Sequence, residues 1–127
     1  IDAAHNVASM ESLVKTLSDQ SNLPKKRVLI FAASADKKLS AMLRASKTYF
    51  TDIVLTRYAT NPRAATITRL RKAAEEGGWR DPHVAASPTE AVTVGKRLSG
   101  QKGLLCIAGS FFLAAEVRTV LTALIDS

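Results

Sequence analysis

Two kinds of apolar pattern alternate along the chain. After Asn6, a residue suited to capping a helix, Val7, Met10, Leu13, Val14 and Leu17 recur at the spacing of one helical face. Ser21-Asn22-Leu23-Pro24 stops that pattern. Val28 to Ala33 is then a continuous apolar run, as expected of a strand covered on both faces. Leu39, Met42 and Leu43 begin a second helix, and Ile53-Val54-Leu55 is the next strand. A helix is expected from Ala64 to Glu76, closed by Gly77-Gly78. His83 to Ala86 reads as a short strand, and Pro88 suits the first turn of a helix to about Leu98, with Ser87 as its cap. Gly103 to Gly109 is the last strand and Phe111 to Ile125 the last helix. This alternation predicts an α/β architecture with a mostly parallel sheet and flanking helices. With no internal repeat or linker, residues 1–127 are expected to form one domain.

Parallel sheets bind ligands at the carboxyl ends of their strands. Here those ends read Ser34-Ala35-Asp36-Lys37, Thr56-Arg57-Tyr58, Ala86-Ser87-Pro88 and Ala108-Gly109-Ser110. They would place hydroxyls, a carboxylate and cations on one rim, although strand ends are also polar simply because the sheet stops there.

Composition narrows the picture less. An apolar fraction of 46% argues against disorder, and no apolar run is long enough to span a membrane. The single Cys106 lies in an apolar run, where a buried thiol behaves as a small hydrophobe, and a reducing, cytoplasmic setting follows as the default. The formal charge of +7 attracts polyanions. Nucleic acid, nucleotide phosphates and anionic small molecules all fit that charge, and the interleaved aromatics of a single-strand binder are missing. A basic nucleic-acid-binding module stays open only as an alternative.

Several self-sufficient chemistries are excluded. There is no phosphate loop: Glu90 stands where its first glycine would be, and Arg97 where its hydroxyl would be. No G-x-G-x-x-G fingerprint occurs, one cysteine and two histidines do not make a zinc site, and Ser110 lacks the second glycine of a hydrolase elbow. The chain carries parts of a site rather than a complete one.

Those parts have a familiar order. Ile1-Asp2-Ala3-Ala4-His5-Asn6 resembles the D-G-A-H-N motif that opens the carboxyl-terminal domain of folylpolyglutamate and dihydrofolate synthases, which are Mur ligase-type enzymes. Phe31 to Lys37, followed by Ala41-Met42-Leu43, resembles the family's strand leading into an Asp-Lys loop. Leu55-Thr56-Arg57 with Asn61-Pro62-Arg63-Ala64 is similar to its Pro-Arg-Ala segment, Pro88 to Ala91 to its P-x-E-A helix start, and Cys106 to Arg118 to its G-S-[FY]…E-V-R segment. Ala3 replaces the usual glycine, Val7 the Mur-type proline, and Lys38 the second acid of Asp-Lys-Asp.

The resemblance implies a three-layer, Rossmann-like domain of the Mur ligase carboxyl-terminal type. It also implies a ligase that joins glutamate to folate, and in some members makes dihydrofolate from dihydropteroate, through an acyl phosphate. ATP and Mg2+ would serve the full-length enzyme and neither would be held by this domain alone. The amino-terminal ATP-binding domain would be the missing partner, leaving these residues inactive by themselves. By the same resemblance, Asp2 and His5 would be catalytic and nucleotide-binding, His5 at the phosphates and Asp2 near the ribose. Ser110 would hold the incoming glutamate, with Lys37 and Asp36 beside it. No metal ligand, nucleic acid or membrane partner is implied. A solvated loop pair is the plain alternative for Asp36 and Lys37. Arg57 and Arg63 could likewise neutralise a substrate carboxylate or phosphate, with basic surface charge as the plain reading. A Mur ligase acting on a cell-wall precursor is the nearest rival, disfavoured by Gly109-Ser110-Phe111-Phe112 and by the absence of proline after Asn6.

Overall fold

A computed structural model of the chain describes residues 6–20, 23–59 and 61–109. The expected last helix, Phe111 to Ile125, lies outside them.

Among the described residues eight elements follow one another: α1 (Val7–Ser18), β1 (Arg27–Phe31), α2 (Leu39–Lys47), β2 (Asp52–Leu55), α3 (Ile67–Glu76), β3 (His83–Val84), α4 (Pro88–Ser99) and β4 (Leu104–Ala108). The four strands form one all-parallel sheet in the order β3-β2-β1-β4. Within each apolar strand, alternate residues take opposite faces, the period of two that a pleated strand imposes. Leu29, Phe31, Ile53 and Leu55 pack under α1, α2 and α3, whereas Val28, Ile30, Val54 and Ile107 pack under α4. The continuous runs in the sequence are therefore two interleaved faces, each with its own helical layer. The result is the α/β architecture that the pattern predicts, in the three-layer, Rossmann-like form that the resemblance implies.

Local chemistry fixes the helix starts. Asn6 accepts a hydrogen bond from the Ser9 amide at 2.7 Å, Thr66 from that of Arg69 at 3.2 Å, and Ser87 from that of Glu90 at 3.2 Å. Each satisfies one of the amide groups that a helix start leaves unpaired. Only α2 departs: its cap position is Lys38, which supplies no side-chain bond. Trp79 packs at the joint between α2 and α3 and donates its indole N–H to the Leu43 carbonyl at 3.1 Å, a core role.

Two boundaries and one burial differ from expectation. Ala64 does not start α3: it forms an antiparallel bridge with Ser34, and the helix begins at Ile67 behind its Thr66 cap. The third strand stops at Val84 instead of reaching Ala86, whose amide donates to the Glu90 carboxylate at 3.0 Å. Cys106 is half-buried rather than fully buried, packed at the margin of the α1–α3 side of the core. Among the described residues no helix is long and apolar enough to cross a membrane.

Candidate functional site

The sheet order places β1 between β2 and β4, so the chain leaves β1 toward one edge and later returns to its other side. Such a switch point opens a crevice beyond the strand ends, where ligands of open α/β sheets bind. Its two walls are the loop after β1, residues 32–38, and the end of β4 at Ala108-Gly109. Gly109 has φ +108°, and a Cβ there would collide with the Ala32 carbonyl oxygen. Glycine alone fits both the backbone conformation and this close approach.

Not every polar residue expected on this rim faces it. Thr56 and Tyr58 are 0% and 1% exposed, so the core takes them rather than a ligand. The Arg57 guanidinium donates to the Ala64 carbonyl at 3.3 Å and props the loop after β2. Ser87 is the cap of α4. Among the described residues, what remains is the Ser34-Asp36-Lys37 corner.

That corner is built by two loops joined through their backbones. The Ala35 amide donates to the Arg63 carbonyl, and the Ala65 amide to the Ala33 carbonyl, both at 2.8 Å. Upstream of this pairing, the Asn61 side chain accepts from the Arg63 amide at 2.9 Å, a local turn that aims residue 63 at the first loop. The Asp36 carboxyl is exposed and held below its ordinary range. The Ser34 hydroxyl bonded to it is the main cause, with its own backbone N–H, and then the charges of Lys37 and Arg63, also favouring the ionised form. Asp36, Lys37 and Arg63 thus form one small charged cluster, with the half-buried Lys37 at the head of α2. Sequence reasoning left Arg63 open between a contact to a substrate anion and a basic surface residue. The Asn61-Pro62 turn before it was the available signal.

Asp2, His5 and Ser110 lie outside the described residues. The chain leads from His5 into Asn6 at the head of α1, and from Gly109 at the switch point into Ser110. Among the described residues, no three histidine, cysteine or carboxylate groups converge as they would around a metal ion.

The model of the family described as "Mur ligase, glutamate ligase domain" matches residues 1–111. The chain belongs to this family.

Solved structures of similar shape agree. A Mycobacterium tuberculosis folylpolyglutamate synthase complexed with ADP is 28% identical over 94% of this chain, with a TM-score of 0.85. A Thermotoga maritima folylpolyglutamate synthase is 28% identical over 95% of the chain, with a TM-score of 0.79. Escherichia coli FolC in complex with ADP superposes over 100% of the chain at TM-score 0.87 with 20% identity, a likeness of fold. This glutamate ligase domain spans 29%, 27% and 29% of those three chains. No curated protein sequence matches it.

Proposed function

We propose that this glutamate ligase domain is the carboxyl-terminal part of a folylpolyglutamate synthase, an ATP-dependent ligase that forms an amide between a folate carboxylate and the amine of glutamate. The observation that carries the reading is the 28% identity to a folylpolyglutamate synthase over 94% of the chain. The charged corner at the switch point is consistent with it, since glutamate brings two carboxylates and an amine.

In this reading the γ-phosphoryl group of ATP passes to the terminal carboxylate of the folate, giving ADP and an acyl phosphate. The glutamate amine attacks the acyl carbon, loses a proton, and inorganic phosphate leaves. The residues of this domain bind and orient. Lys37 and Arg63 neutralise glutamate carboxylates, Asp36 holds Arg63 and Lys37 in place or receives the ammonium of the incoming amino acid, and Ser110 donates a hydroxyl at the end of β4. His5 contacts the phosphates and Asp2 the nucleotide. An ATP-binding domain with the Mg2+ ligands lies elsewhere in the polypeptide, and closure of this domain over it shields the acyl phosphate from water. The setting is the cytoplasm.

The family match also suits a ligase that adds an amino acid to a cell-wall precursor. One assay separates the two: ATP-dependent incorporation of labelled glutamate into a reduced folate by the protein that carries this domain. Incorporation that falls on His5→Ala and Ser110→Ala supports the folate reading. Activity on a cell-wall precursor alone replaces it.

A further inference from the structure

A second feature adjoins the charged corner. Between α2 and α3 runs an open groove of about 730 Å³. One wall is Lys37 to Ala41, and the other is the stripe Thr68, Arg69, Lys72 and Glu76 of α3. Arg69, Lys72 and Glu76 stand three, then four, residues apart and so share one helix face. Four cations and a single carboxylate line the groove, and that carboxylate accepts the Ser40 hydroxyl at 3.1 Å. Lys38, Arg69 and Lys72 make no side-chain hydrogen bond or ion pair with the described residues. The amide groups of Ser40 and Ala41 are also unpartnered there, since α2, alone among the described helices, lacks a side-chain cap.

We propose that this groove binds the free α-carboxylates of an oligo-γ-glutamyl chain, holding the older residues of the tail while its newest end lies at the Lys37 corner. This rests on the folate reading above. A γ-linked chain offers one carboxylate per residue, a row of separate negative charges, and the groove offers separate cations and amide donors along its two walls. Its volume lies in the range of small-molecule sites, about 300–1,000 Å³. No aromatic side chain lines it, so nothing there stacks a nucleobase. The groove also gives part of the +7 charge a use that a solvated helix surface does not.

Two measurements test this on the protein that carries the domain, with Lys38→Gln, Arg69→Gln and Lys72→Gln made singly and together. All three side chains are exposed and lie outside the charged corner. The first is binding of γ-linked tetraglutamate, with free glutamate and inorganic tripolyphosphate as probes alongside. Tetraglutamate is expected to bind more tightly than glutamate, and each neutralised cation to weaken it about twofold to fivefold, the range for exposed ion pairs. The second is the length distribution of the folate products. The triple variant is expected to add the first glutamate at the wild-type rate and to stop at shorter chains. Unchanged tetraglutamate binding and unchanged product lengths overturn the groove proposal while leaving the ligase reading intact. Tripolyphosphate binding equal to or tighter than tetraglutamate overturns it in favour of a general anion site. Absence of folate ligation altogether removes the reading on which both rest.

Discussion

The amide of Ala35 donates to the carbonyl of Arg63 at 2.8 Å, and through that bond the loop after β1 and the loop after β2 become one structure. The contact is made by backbone atoms, so the two loops stay joined whatever side chain occupies position 63. What the side chain adds is charge beside Asp36. Replacing Arg63 or Lys37 by glutamine should therefore spare folding and damage glutamate use. Each loses a charge-assisted contact worth about 1.5–3 kcal/mol, so kcat/KM for glutamate should fall about tenfold to a hundredfold. Unfolding by urea should show the same midpoint for both variants and the wild type. Steady-state kinetics with glutamate varied is the check.

Asp36 should respond to pH in a defined direction. Its folded-state pKa lies below the ordinary value of 3.8. A carboxyl lowered in this way contributes stability above its unfolded pKa, and loses it as pH falls through the lower folded value. Wild type should exceed Asp36→Asn in urea midpoint at neutral pH, and the gap should close in strong acid, below about pH 3. Ser34→Ala should move the Asp36 titration upward in an NMR experiment, because that hydroxyl is the largest of the lowering influences.

Gly109→Ala should be among the most damaging single changes. The left-handed φ alone costs about 1–3 kcal/mol for a residue with a Cβ, and the added methyl also meets the Ala32 carbonyl and the Phe31 ring. Backbone atoms cannot yield as a flexible side-chain end does. Thermal unfolding should show a clear loss of stability, whereas alanine at the exposed Lys102 should shift it little.

The only tryptophan reports on a joint. Trp79→Phe keeps an aromatic ring in place and removes the N–H that reaches Leu43, whose carbonyl still accepts from the Ser46 hydroxyl at 2.7 Å. A loss of about 0.5–1.5 kcal/mol is expected, the net contribution of one hydrogen bond. In the wild type, tryptophan fluorescence should change in the same transition as far-ultraviolet circular dichroism, since the indole sits against α2 and beneath the Lys47 ammonium.

The layers of this fold were legible in the sequence, because apolar runs, Asn6, Ser87 and Pro88 carry local chemistry that acts within a few residues. The bridge between Ser34 and Ala64 was not. It joins residues far apart in the chain, and the alanines involved have a preference for helix that tertiary pairing overrides. For the same reason Arg63 looked like one more basic surface residue. Lys37 and Asp36 stood out because they follow directly on a strand. Their third partner became visible only once two loops were paired.

The order of the sheet also bears on how the domain is made. β1 pairs with β4, from Arg27 opposite Leu104 to Phe31 opposite Ala108. Those partners are separated by roughly eighty residues, a long loop to close before the contact returns any free energy. During synthesis β1, β2 and β3 emerge first, and until the ribosome has released β4 one hydrogen-bonding edge of β1 remains bare. That edge belongs to the strand Arg27-Val28-Leu29-Ile30-Phe31, the apolar centre of the finished sheet, and bare apolar edges recruit other chains. The nascent domain is thus most exposed to aggregation just before β4 arrives, and a slow stretch of translation ahead of Leu104 would lengthen that interval.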